Sequence, residues 1–164
     1  MYYDSKKVIN PKWCKRIIRE TSSTAIWKPA WLIKGETVWN ESKCQWWAHG
    51  GRTFIGDLRK LLVSTLERKV HFIEWPFLVC RFPMQTIYDY HTDQKFYAYK
   101  KSRRTVSAIT VLAGEMTLYA NKQTYLVQKH ESICWPSEHV YKLENSYHKE
   151  SILIYAHARE KLWI

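Results

Sequence analysis

The stretch Tyr88-Asp89-Tyr90-His91-Thr92-Asp93 carries the sharpest chemical signal in the chain. In an extended strand, residues two apart project to the same side. His91 and Asp93 can therefore offer an imidazole nitrogen and a carboxylate oxygen to one ion. Such a pair arises often by chance, and a second imidazole gives it meaning. His139 follows Ser132-Ile133-Cys134-Trp135-Pro136-Ser137-Glu138 and opens a segment, His139–Leu143, of strand character. Two imidazoles and one carboxylate leave three positions of an octahedral ion open. That set suits a ferrous ion that must hold a co-substrate and dioxygen together; thiolates would favour zinc. The remaining histidines, His49, His71, His130, His148 and His157, read as surface or hydrogen-bonded groups. Lys149 stands ten positions after His139 and begins the segment Lys149–Tyr155. Pointed inward, its ammonium pairs strongly with a carboxylate in a partly dry pocket. Ser151, on the same side by alternation, adds a hydrogen bond.

These groups need a frame, and the second half of the chain reads as one. Short β-like runs succeed one another at Phe77–Phe82, Thr86–His91, Arg104–Leu112, Glu115–Ala120, Thr124–Gln128, Ser132–Trp135, His139–Leu143 and Ser151–His157. Polar turns divide them at Ala113-Gly114, Asn121-Lys122, Pro136-Ser137 and Asn145-Ser146. Many short strands at this spacing predict a barrel or jelly roll. The first half is mixed. Asn10 and Pro11 suit the cap and first position of a helix over Pro11–Thr21, with Trp13, Ile17 and Ile18 near one face. Thr37–Trp47 has extended character and ends before Gly50-Gly51. Leu58, Leu61, Leu62, Thr65 and Leu66 predict a packing helix over Asp57–Glu67. Two leading helices would brace one face of a β-rich core, in a single domain with 1–75 as support and 76–160 as core.

Composition narrows the classes further. A chain of 164 residues, 46% hydrophobic and rich in Trp and Tyr, buries enough apolar surface to fold, which excludes global disorder. The net charge of +11 points to a polyanionic partner or simply to solubility. The basic residues are scattered, and the best local cluster is Lys100–Arg104. Cys14, Cys44, Cys80 and Cys134 form no C-x-x-C pair, so free thiols of a reducing cytosol are expected rather than a zinc ribbon or a disulfide framework. No apolar run behind a basic start and no stretch of about 18 apolar residues is present, so a cytoplasmic chain without a membrane span is expected.

The carboxy-terminal half resembles the 2-oxoglutarate/iron(II) oxygenase superfamily, in particular its prolyl 4-hydroxylase-like branch of phage, bacteria and eukaryotes. Tyr88–Asp93 is similar to that family's Y-x-x-H-x-D. Gly114-Glu115-Met116 stands where it often writes G-G-E-L. Cys134-Trp135-Pro136-Ser137 with His139-Val140 resembles its F-P-S followed by H-x-V or H-V. Lys149 stands where the branch places a lysine or arginine. The specific motifs lie between Tyr88 and Lys149; Ile9–Ile18 is a weaker match to a first helix. Two departures bear on substrate: Pro83–Thr86 replaces the glycine usual before the motif tyrosine, and the segment after Asp93 is rich in Tyr and Lys.

The resemblance implies a mainly β fold with supporting α-helices, a double-stranded β-helix or jelly roll. It implies Fe(II) on His91, Asp93 and His139, with 2-oxoglutarate as co-substrate and O2 as oxidant, and ascorbate as an accessory reductant. It gives Lys149, Tyr88 and Ser151 to the co-substrate and C–H hydroxylation as the reaction. Tyr97, Tyr99, Arg103 and Arg104 are the substrate-side candidates, since aromatics mixed with cations serve peptides and nucleic acids alike. A peptidyl, prolyl-type substrate stands first and oxidation of a nucleic acid or nucleobase second. The alternatives of other kinds are a non-catalytic basic β-barrel that grips nucleic acid, a cupin-like metal enzyme without 2-oxoglutarate, and a degenerate relative. For a phage-encoded chain the setting would be the host cytoplasm.

Overall fold

The computed structural model describes residues 6–7, 10–24, 28–34, 37–47, 70–72, 78–91 and 105–160. Helix α1 (Pro11–Thr24) starts as the cap residues demand. The Lys12 amide donates to Asn10 Oδ1 at 2.9 Å, and the Trp13 and Cys14 amides donate to Asn10 O. Its buried face is Cys14, Ile17 and Thr21 rather than Trp13 and Ile18, which are half-buried. Burying Ile17 fully is worth about 2 kcal/mol. Burial also pushes the Cys14 thiol up to about 11. No described helix is long and apolar enough to cross a membrane.

The strands are β1 (Lys6–Lys7), β2 (Lys28–Lys34), β3 (Thr37–Trp47), β4 (Val70–Phe72), β5 (Leu78–Phe82), β6 (Thr86–His91), β7 (Thr105–Ala113), β8 (Glu115–Ala120), β9 (Gln123–Gln128), β10 (Glu131–Pro136), β11 (Tyr141–Asn145) and β12 (Ser151–Glu160). Among the described residues they make an eight-stranded sheet, β1-β10-β7-β12-β5-β3-β2 with β4 on β12, and a four-stranded sheet, β6-β11-β8-β9. The pairing is antiparallel throughout. From β5 onward, consecutive strands cross between the sheets except at the β8–β9 hairpin, the pattern of a double-stranded β-helix, so the expected jelly roll is the observed fold.

Alternate residues of both sheets meet in one interior, where Phe82, Met116, Leu118, Ile133, Trp135 and Leu143 are essentially without exposure. The outer face of β7 and β10 is also buried at Ala108, Thr110, Leu112, Ser132 and Cys134, and α1 packs against β7. There Thr110 and Ser132 join hydroxyls at 2.7 Å.

The leading region does more than brace this core. β3 pairs with β5 and β2 with β3, so the region extends the large sheet itself. Pro29 sits in β2, at the sheet's edge, where its missing N–H costs little. The helix expected over Asp57–Glu67 lies outside the described residues.

Candidate metal centre

The roll has two unlike ends. At one end the chain is knitted together. Asn145, fully buried, donates from Nδ2 to Phe82 O, Pro83 O and Lys149 O, and its Oδ1 accepts from the Tyr147 amide. The buried Ser151 hydroxyl accepts from the Glu115 amide at 3.1 Å and donates to Glu115 O at 2.7 Å, with Asn145 Oδ1 at 3.1 Å. Arg81 and Glu150 form a two-pronged ion pair at 2.6 and 3.0 Å.

This corrects one sequence expectation. Lys149 does not begin the last strand; it stands exposed in the bend before β12, because Asn145 takes its carbonyl and Arg81 takes its neighbour Glu150. Ser151 does face inward, yet its hydroxyl is committed to the backbone of Glu115.

The other end is the mouth. β6 finishes there at His91 and β11 begins there at Tyr141, and these two residues are directly paired. Leu143 pairs with Tyr88, so two steps on β11 match three on β6. The extra residue is a β-bulge, a device that re-aims side chains. It explains why Tyr88 is buried in the interior while Tyr90, of the same parity, is 51% exposed.

His139 lies not in the strand but in the turn before it, its amide donating to Pro136 O at 3.0 Å. Its side chain is half-buried and lines a cavity of about 640 Å³ with Tyr90, Tyr119, Asn121, Lys122 and Glu138. Behind the turn, Tyr141 fills the interior at 0% exposure, its hydroxyl 2.5 Å from that of Tyr155 and its ring 4.8 Å from Trp135. Sequence reading passed over Tyr141, although its parity with His139 marks it as inward-facing. Trp135 Nε1 is the one buried side-chain polar atom without a partner among the described residues.

Beside the cavity, Lys142 Nζ sits 3.9 Å from the Tyr119 ring centre and 5.7 Å from that of Tyr90, and pairs with Glu144 at 2.9 Å. Desolvation raises the Tyr119 pKa, and the Glu144 charge raises it further. Desolvation pulls Lys142 down, but its bond to Glu144 and the nearby phenols outweigh that and leave it raised.

The described residues bring the end of β6 and the His139 turn to the same mouth. Among them no three His, Cys, Asp or Glu side chains gather as a metal site. Asp93 and the side chain of His91 lie outside them, as do Tyr97, Tyr99, Arg103 and Arg104.

No family model and no curated protein sequence matches the chain. Solved structures do. A prolyl hydroxylase from Trichoplax adhaerens, in complex with a hypoxia inducible factor oxygen degradation domain peptide fragment, superposes with a TM-score of 0.64 at 11% identity, over 98% of this chain and 82% of that one. A Pseudomonas putida prolyl-4-hydroxylase gives 0.60 at 14% identity, over 98% and 93%. A predicted oxalate decarboxylase from Thermotoga maritima gives 0.51 at 11%, over 85% and 96%. At these identities the likeness is one of fold.

Proposed function

We propose that this chain is an iron(II)- and 2-oxoglutarate-dependent oxygenase whose metal is held by His91, Asp93 and His139. The observation that carries the reading is the direct pairing of His91 with Tyr141, which sets the end of β6 beside the turn bearing the second imidazole. The donor set fits a ferrous ion: two neutral imidazoles and one carboxylate, with no thiolate and with positions to spare. Superposition on prolyl hydroxylases over nearly the whole chain supports the same class.

With the metal bound, 2-oxoglutarate and dioxygen would supply oxidative C–H hydroxylation, with succinate and CO2 as co-products. The chain's own part is to hold the ligands, exclude water and orient the substrate. Trp135 Nε1 gives an acceptor in the interior one ready donor; the exposed Lys149 is not needed in this reading. The cavity walled by Tyr90 and Tyr119 is the substrate entry, and a peptidyl, prolyl-type substrate suits its aromatic faces.

The packed interior favours one second reading. Trp135, Tyr141 and Tyr155 occupy the space behind the mouth, and Lys149 stands outside it. On that reading the chain binds the metal without turning over 2-oxoglutarate. One experiment separates the two. Protein supplied with iron(II) and ascorbate is expected to convert 2-oxoglutarate to succinate, and His91→Ala, Asp93→Ala and His139→Ala to abolish conversion and metal uptake together. Metal uptake without conversion in the parent selects the second reading. Variants that bind metal as the parent does remove both.

A further inference from the structure

His139 stands in a short turn, where an unsupported side chain would be poorly fixed, yet the residues on either side of it are buried and in contact. Trp135 and Tyr141 flank the turn at 0% exposure and touch through their rings. Between them Ser137, also fully buried, meets the fully buried Ser107 hydroxyl of β7 at 2.9 Å. Ser107 pairs with Trp135, and Ser137 lies just past the last paired residue of β10. By alternation Ser107 shares a face with Ile109 and Val111 of the interior. The hydroxyl pair thus ties the His139 turn to β7, an inner strand of the large sheet, on its interior face.

From this geometry we infer that Ser107 and Ser137 are positioning residues for His139, fixing its turn so that the imidazole meets the metal without reorganisation. The inference rests on the proposed metal ligation. Groups that orient a ligand typically govern metal affinity by about 10–100-fold.

The molecule supplies its own control. Thr110 and Ser132 form a second buried hydroxyl pair between the same strands, β7 and β10, but on the opposite face, away from the interior. Removing one hydroxyl from either pair breaks a buried bond between the same two segments and destabilises the fold.

The test is a cobalt(II) titration of the full chain, followed by visible absorption, beside thermal melts without metal. Ser137→Ala and Ser107→Ala are expected to lower cobalt affinity about tenfold and to alter the ligand-field bands. Ser132→Ala is expected to lose comparable thermal stability with affinity within about twofold of the parent. Equal affinity loss from both pairs, or parent-like affinity in Ser107→Ala and Ser137→Ala, overturns the inference while leaving the metal site standing. No cobalt binding by the parent sinks the metal reading and this inference with it.

Discussion

The two ends of the roll spend their polar groups in opposite ways. At the closed end, Asn145, Ser151 and the Arg81–Glu150 pair bond to other parts of the protein, and each joins segments distant in sequence. At the mouth, Tyr90 is exposed, His139 is half-buried against a cavity, and the hairpin at Asn121-Lys122 forms one wall. β11 connects the ends, running about 14 Å from Tyr141 to Asn145 at the usual strand rise. The difference teaches where stability and chemistry reside: the closed end holds the strands in register, which leaves the mouth free to display donors. Substitutions at the closed end should therefore lower stability with little effect on metal binding by the folded protein, and those at the mouth should do the reverse.

The largest effect that would break this division is at Asn145. Asn145→Ala removes five hydrogen bonds at a fully buried position and strands the carbonyls of Phe82 and Lys149. The expected cost is about 3 kcal/mol, or roughly 6–12 °C in melting temperature for a domain of this size. Calorimetric melting checks the loss, and a cobalt titration well below the melt should give the parent's affinity. A variant that melts normally yet loses metal would invert the comparison. Gly114→Ala comes next. Its φ of +76° disfavours any side chain, and an added Cβ would run into Ser151. A loss of about 2 kcal/mol is expected, read as a shifted denaturant midpoint, again without effect on metal affinity.

How much of this was legible in the sequence follows the same division. β6 and β8 were readable to the residue, because their apolar alternation and bounding turns are local signals. The H-x-D motif and a second histidine were readable for the same reason. What sequence could not supply is non-local. β2 carries Pro29 and only its pairing with β3 makes it a strand. Lys149 was assigned to a strand by extending the alternation of β12 two residues too far, where contacts from Asn145 and Arg81 end it instead. His139 was assigned to the start of a strand, whereas Pro136 O captures its amide in a turn. Ser107 and Ser137 carry no signal of their own, since their link appears only once β7 and β10 are side by side.

The smallest effect tests the mouth from the side of stability. The β8–β9 hairpin turns through Asn121 and Lys122 with φ of +50° and +60°, the two-residue turn whose twist matches the flanking strands. Asparagine tolerates that conformation, whereas a lysine at the second position pays a steric cost that glycine avoids. Lys122 nonetheless lines the cavity beside His139. Lys122→Gly should therefore stabilise the fold by about 0.5–1 kcal/mol, visible as a rise of a few degrees in the melt. If the lysine is retained for the cavity, the same substitution should weaken an anionic or carbonyl-bearing substrate while leaving cobalt affinity unchanged. A stabilised variant with intact substrate turnover would mean that the strained lysine serves neither end of the roll.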